Sequence, residues 1–149
     1  MRKYIKFGIM IGVSTVVMFL MMYLNSFKID HLYFSQTRVW MALMMGAAMT
    51  IIMLLFMWQM YPNKRLNQVI LLGAGLLFCG SLFLVRSQTT VKDVSWMHAM
   101  IPHHSIAILT STRADLHDPE VKKLADEIAI TQKKEIKEMK RLIKKLTDK

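Results

Sequence analysis

Five side chains that can bind a soft metal lie within eight residues of the chain, where an apolar stretch gives way to a hydrophilic one. They are Met97, His98, Met100, His103 and His104. Thioether sulfur and neutral imidazole are the side-chain ligands that suit copper, above all Cu(I). This cluster therefore predicts that the chain binds a metal, with copper as the best fit to its ligands.

Two helices are expected to position these ligands. Residues 91 to about 116 fit one helix that is interrupted at Pro102. The sequence Asp118-Pro119-Glu120 begins a second helix, which runs to about residue 146, because it offers an Asp N-cap, a proline at the first helical position and an acid in the first turn. The link between the two helices is short, so we expect an antiparallel hairpin.

Helical spacing predicts which side chains of the hairpin face one another. The face of the second helix that carries its large apolar residues consists of Val121, Leu124, Ile128, Gln132, Glu135, Met139, Leu142 and Leu146. The matching face of the first helix consists of Met97, Met100, His104, Ala107, Ser111 and Ala114. Gln132 and Glu135 interrupt the apolar face, and a buried carboxylate is costly unless it is paired or bound to a metal.

Packing these two faces together is expected to form a metal site between the helices. The ligands brought together would be Met97, Met100, His103, His104, Gln132, Glu135 and Met139. Imidazole with carboxylate binds Cu(II), and thioether with imidazole favours Cu(I). The same residues also fit a site without metal, in which the methionines fill gaps in the core and the His103–His104 pair and Glu135 form a buried polar network that fixes the register of a dimer. Alternatively, Glu135 pairs with a lysine of a partner chain and Gln132 is a polar core residue that fixes the register.

Pro102 determines how the histidines are presented. A proline inside a helix leaves the carbonyl four residues earlier, here that of His98, without its donor, so either the helix kinks or a new helix begins with Pro102 at its first position. In the second case His103 and His104 lie in the first turn, where the helix dipole favours the neutral imidazole that a metal requires. His98 is about 240° around the helix from His104, so we expect it to point elsewhere.

Three uncharged apolar runs precede the hairpin, and each is long enough to cross a bilayer. They cover residues 7–24, 39–61 and 69–85. We therefore expect a membrane anchor over residues 1–87 and a hairpin domain over residues 88–149. Five Lys or Arg lie on the side of the N-terminus and four on the other side. The positive-inside rule then predicts a cytoplasmic N-terminus and a periplasmic, extracytoplasmic C-terminal domain.

Other function classes find little support in the sequence. The thirteen basic residues within residues 86–149 are interleaved with nine acids, and no dense basic patch carries stacking aromatics, so nucleic-acid binding is not expected. The chain lacks a G-x-S-x-G, a phosphate-binding Gly loop, an H-E-x-x-H and the paired Glu-x-x-His of di-iron sites, so it is not expected to be an enzyme. The single cysteine, Cys79, excludes an internal disulfide and a thiolate zinc site.

Two further features carry weaker hypotheses. The second apolar run holds a ladder of methionines that would pass Cu(I) through the membrane, although methionine also packs well in any bilayer helix. The ladder consists of Met41, Met45, Met49, Met53 and Met57, with Met44 and Met60 beside it. Asp30 and His31 share the outer side with the C-terminal domain in the predicted topology, so they are candidates for additional ligands or for docking that domain.

Four blocks of the hairpin, in this order, resemble a known family. They are M-I-P-H-H at residues 100–104, D-P-E at residues 118–120, L-A at residues 124–125, and Q-K-K-E-I-K-E-M at residues 132–139. Over about residues 90–146 the chain resembles the bacterial domain-of-unknown-function family 305, and with its three spans it resembles a membrane-bound branch of that family. The resemblance implies an exported, ferritin-like helical domain in a family with members associated with copper binding and resistance. It places metal-binding roles on Met100, His103, His104, Gln132, Glu135 and Met139.

Many members of that family carry two such hairpins, whereas this chain has one, so we expect two chains to pair. The predicted fold is all-α: three transmembrane helices followed by a soluble antiparallel hairpin, a ferritin-like half-bundle that dimerisation completes. The favoured function is copper binding at the bacterial cell membrane, for tolerance or for delivery to a copper-handling partner protein. The alternative is a membrane-anchored dimerisation or interaction module that binds no metal.

Overall fold

The computed structural model describes residues 2–148, and this part of the chain contains five α-helices and no β-strand. The helices are α1 Arg2–Met21, α2 Gln36–Phe56, α3 Lys64–Ser87, α4 Asp93–Arg113 and α5 Pro119–Thr147. Two short 3₁₀ turns, Ile29–His31 and Trp58–Met60, lie before and after α2. The all-α expectation is therefore confirmed for the described residues.

Helices α1, α2 and α3 are each long and apolar enough to cross a membrane, with 20, 21 and 24 residues. Their bounds differ from those of the predicted runs. α2 ends at Phe56, short of the predicted residue 61, because the chain tightens into a 3₁₀ turn there. α3 begins at Lys64 because the Asn63 side chain caps it, accepting the Leu66 N–H at 3.0 Å. Most of the polar stretch between the second and third predicted runs, residues 62–68, is thus the first turn of α3.

The chain forms two compact units, and each is described by itself. The first consists of residues 2–22 and 37–90, and the second consists of residues 23–36 and 91–148. The segment between α1 and α2, which the sequence places within the anchor, thus belongs to the same unit as α4 and α5. An odd number of spans requires this segment and the hairpin to lie on one side of a membrane, so their packing together agrees with three spans.

Contacts in the first unit tie α1 to the other two apolar helices. A side chain on Gly46 would collide with Thr15 of α1. In contrast, Gly8 and Gly12 of α1, which form a G-x-x-x-G pattern, have nothing within 4 Å of their Cβ positions. The close approach therefore lies at Gly46. At the other end of α1 the Tyr4 hydroxyl donates to Oδ1 of Asn67 at 2.8 Å, and Asn67 is fully buried.

The methionines of the second predicted run, residues 39–61, divide between packing and surface positions. Met53 and Met57 pack against the buried cluster formed by Phe7, Leu54 and Tyr61. Met41 and Met60 are 37% and 52% exposed. Packing accounts for the first pair, and the path for Cu(I) stays a prediction.

Helices α4 and α5 pack around an apolar core that contains Met97, Ile101, Ile108, Ile136 and Met139. The predicted packing face of α5 is wrong over its first half. The structure buries Ala125 and Ala129 there, while Val121, Leu124 and Ile128 are 48%, 56% and 37% exposed. The small side chains of Ala125 and Ala129 pack at this position, which a pattern of large apolar residues does not predict.

Of the two alternatives for Pro102, a new helix that begins there is wrong, and a kink stays a prediction. α4 is one continuous helix with Pro102 inside it. Pro102 is fully buried, so its packing offsets the hydrogen bond that it denies to the His98 carbonyl. His103 and His104 therefore lie in the middle of a helix, beyond the terminal turn in which the helix dipole acts. The buried face of α4 is rotated as well, since it presents Ser105 to the core where His104 was expected.

Candidate metal-binding pair and the segment packed beside it

The hairpin brings one histidine and one carboxylate into contact across its two helices. His104 Nε2 lies 2.8 Å from Glu135 Oε2. The other ring nitrogen, Nδ1, lies 2.9 Å from the carbonyl oxygen of Met100, one turn earlier in α4. The His104 side chain is 14% exposed and that of Glu135 is 48% exposed. The pair therefore lies at the rim of the core and opens to solvent on the carboxylate side.

Hydrogen-bond partners define the protons that this pair must hold. The carbonyl of Met100 only accepts, so His104 Nδ1 carries a hydrogen. An ionised carboxylate also only accepts, so one further proton must lie between Nε2 and the Glu135 oxygen. Removing that proton leaves a lone pair and a carboxylate directed at the same point. Imidazole nitrogen with carboxylate oxygen is a donor set for Cu(II) or Zn(II), and an Nδ1–H bonded to a backbone carbonyl is how such ligands are usually oriented.

The predicted thioether ligands are mostly core residues. Met97 and Met139 are 4% and 6% exposed and belong to the apolar core of the hairpin. Met100 is partly buried and packs against the same core. Their sulfur atoms therefore have a packing role, which is the role expected of methionine in a site without metal.

His103 and Gln132 lie outside the direct contact. The ring of His103 is edge-on to that of His104 with 6.3 Å between centroids, and the residue is exposed. Gln132 is half-buried. Within residues 2–148, no three His, Cys, Asp or Glu side chains lie close enough together to hold a metal ion. One chain thus offers an imidazole–carboxylate pair and not a complete ligand set.

A serine that the sequence analysis missed connects α4 to the segment before α2. Ser105 is fully buried, and its Oγ accepts the backbone N–H of Phe27 at 2.7 Å. The same oxygen lies 2.9 Å from Nδ1 of His31. A serine within a helix gives no distinctive sequence signal, and only its spacing from Ile101 and Ile108 marks it as a residue of the buried face.

Two further contacts hold the same segment against the hairpin. The ring of Tyr33 stacks on that of His98, with 4.9 Å between centroids and an interplanar angle of 25°. The Asp30 carboxylate forms an ion pair with Lys140 of α5. Of the two roles considered for Asp30 and His31, the structure gives both residues the docking role.

The docking contacts shift three pKa values. Burial lowers the pKa of His31 below its ordinary value of 6.5, and the charge of Lys140 lowers it further against the opposing effect of Asp30. Burial alone lowers the pKa of His98. Because the unfolded chain binds these protons more readily than the folded chain, the stability contributed is present above about pH 6.5 and is lost as the pH falls through the folded values. The hydrogen bond and charge of Lys140 lower the pKa of Asp30, so that contribution is lost only in stronger acid.

Known proteins resemble the hairpin region of this chain. An uncharacterized protein of Acanthamoeba polyphaga mimivirus is 38% identical over 64 residues, which are 42% of this chain and 42% of that protein. The chain thus spans about two fifths of the length of that relative. No solved structure matches the chain at a significant level. Residues 86–149 match the family described as Domain of unknown function (DUF305), so the hairpin region is similar to that family.

Proposed function

We propose that this chain is a membrane-anchored copper-binding protein of the bacterial cell membrane, with its N-terminus in the cytoplasm and its hairpin outside. Copper bound by the hairpin serves tolerance or delivery to a copper-handling partner protein. The observation that carries the proposal is the contact of His104 Nε2 with Glu135 at 2.8 Å, because the Met100 carbonyl already holds the other nitrogen. A metal ion that displaces the shared proton meets two oriented ligands from two helices.

The oxidation state follows from the burial of the ligands. Imidazole and carboxylate stand at the solvent-facing rim, and this pair suits Cu(II). To bind Cu(I) through thioethers, Met97 or Met139 would have to leave the core, at a cost of about 1.5–3 kcal/mol for each buried side chain. Cu(II) is therefore the favoured ion, with Met100 and the exposed His103 as the additional ligands nearest in the chain.

A second copy of the chain completes the site in this proposal. The apolar residues Val121, Leu124 and Ile128 of α5 stay exposed, and their helical spacing continues along the same face to Gln132 and Glu135. A chain that covers this stripe therefore also reaches the carboxylate of the pair. Two hairpins joined in this way form a four-helix bundle, the arrangement in which helical proteins build metal sites from facing side chains.

The metal-binding test uses the full chain in detergent, titrated with Cu(II), Zn(II) and Cu(I) against a competing chelator. His104→Ala and Glu135→Gln should each weaken Cu(II) binding by more than the roughly 10- to 100-fold that outer-shell partners contribute. His117→Ala is the matched control, because that side chain is 87% exposed in the link between the helices. Equal affinities in His104→Ala and His117→Ala would refute the proposed site.

The interaction module without metal is the second candidate, and one observation favours it. Both nitrogens of His104 already have partners within the chain, so the pair is complete without a metal. In that case the dimer persists in chelator, and Glu135→Gln weakens it by removing a charged partner. Light scattering of the full chain, with and without copper, separates the two functions, since the copper proposal requires association to strengthen when the metal binds.

A further inference from the structure

A cavity of about 640 Å³ lies within the second unit, away from the His104 pair. Segment 23–36, α4 and α5 all contribute to its wall. Its lining residues are Phe27, Lys28, His31, Ile108, Lys133, Ile136, Lys137 and Lys140. We call it the lysine cavity. Its volume falls in the range of about 300–1,000 Å³ that is typical of small-molecule sites.

The lining is strongly basic. Four of the eight lining residues are lysines and none is an acid. Lys133, Lys137 and Lys140 follow one another at helical spacing on one face of α5, where like charges repel. Asp30 offsets one of these charges through its ion pair with Lys140. The opposite wall adds Lys28, so an anion entering the cavity meets positive charge on two sides.

The inner part of the cavity is apolar and neutral. Phe27, Ile108 and Ile136 provide its apolar surface. Ile108 and Ile136 belong to the hairpin core, and Phe27 packs against it. His31 is buried among them with its Nδ1 against the Ser105 hydroxyl, whose other contact is the Phe27 N–H. Because that N–H occupies a lone pair of Oγ, the hydroxyl hydrogen is available to Nδ1, and the ring hydrogen is then on Nε2 as a neutral donor.

We propose that the lysine cavity binds an anionic membrane lipid, with the phosphate among Lys28, Lys133 and Lys137 and the first alkyl carbons over the apolar surface. A bare phosphate would satisfy the lysines but leave the apolar surface in contact with water. Lys28 is also only seven residues along the sequence beyond Met21, where the apolar helix α1 ends. This site is separate from the proposed copper site and does not depend on it.

The test measures phosphatidic acid retained by the full chain. The protein is reconstituted in phosphatidylcholine nanodiscs with and without phosphatidic acid and then released into mild detergent. Native mass spectrometry measures the mass of the protein with its retained lipid. The Lys133→Gln/Lys137→Gln variant removes two lining charges and leaves the Asp30–Lys140 pair intact. At about 1 kcal/mol for each lysine, affinity for phosphatidic acid should fall by about 30-fold.

The Lys122→Gln/Lys123→Gln variant is the matched control, because it removes the same charge from exposed positions near the start of α5. It should retain phosphatidic acid as the unsubstituted chain does. Equal losses in the two variants would show general attraction to charge and overturn the proposal, as would the absence of retained lipid in the unsubstituted chain. Dodecyl phosphate should displace the lipid and inorganic phosphate should not. Displacement by both at equal concentration would assign the cavity to a free anion.

Discussion

Replacing Ser105 with alanine is expected to release the segment before α2 from the hairpin. The substitution changes volume little, so its effect comes from two lost hydrogen-bond partners, the Phe27 N–H at 2.7 Å and His31 Nδ1 at 2.9 Å. A buried polar group left without a partner costs about 1–3 kcal/mol. His31 is buried and incurs this cost, whereas water can partly replace the bond of the less buried Phe27 N–H. We expect a total of about 2–4 kcal/mol.

Amide hydrogen exchange of the full chain measures this effect directly. The His31 and Leu32 amides donate within the 3₁₀ turn, to Lys28 and Ile29, and so report on opening of the segment. A loss of about 2 kcal/mol or more should accelerate their exchange by about 30-fold or more, up to the rate of an open amide. Ser111→Ala is the control, because it makes the same change at a half-buried position of α4. Unchanged exchange at His31 and Leu32 in Ser105→Ala would refute the reasoning.

One change of pH and one substitution in α2 give further tests. Lowering the pH from 7.5 to 5 should loosen segment 23–36, because the depressed pKa values of His31 and His98 make protonation favour the open form. The measurement is amide exchange of the segment, corrected for the intrinsic effect of pH. His31→Gln should reduce this response to pH, and an unchanged response would contradict the prediction. Gly46→Ala should lower the thermal stability of the full chain by about 1–3 kcal/mol, because the new methyl collides with Thr15. Adding Thr15→Ala should restore most of the loss and Gly73→Ala should cause no such collision, so failure of the rescue would place the strain elsewhere.

The helices were predictable because their signals are local. Long uncharged runs gave the three apolar helices, and the sequence Asp118-Pro119-Glu120 gave the start of α5, where Asp118 indeed accepts the N–H groups of Glu120 and Val121 at 2.9 Å. The alternative in which a new helix begins at Pro102 was wrong because burial of the ring outweighs one missing hydrogen bond. That balance depends on the packing of α4, which a local pattern does not contain.

The candidate site was predictable only in part. Helical spacing placed His104 and Glu135 on facing sides of the two helices, and the structure brings them within 2.8 Å of each other. It failed on the rotation of the helices, because the small side chains of Ala125 and Ala129 decide which face of α5 packs. The docking contacts of segment 23–36 could not be predicted from the sequence. An irregular segment has no periodicity that relates Phe27 to Ser105, which lies 78 residues further along the chain.

The contribution of segment 23–36 to the hairpin unit also constrains how the protein is made. Its residues leave the ribosome before α2 and α3, yet their partners in α4 and α5 are synthesised last. Between these two moments His31, Tyr33 and Phe27 have no hairpin to cover them. If the three apolar helices span a membrane, the unit can close only after α3 has crossed it, because only then do the segment and the hairpin lie on the same side. In that case a chain whose third helix failed to cross would keep its segment uncovered, and the exposed segment would be open to proteolysis.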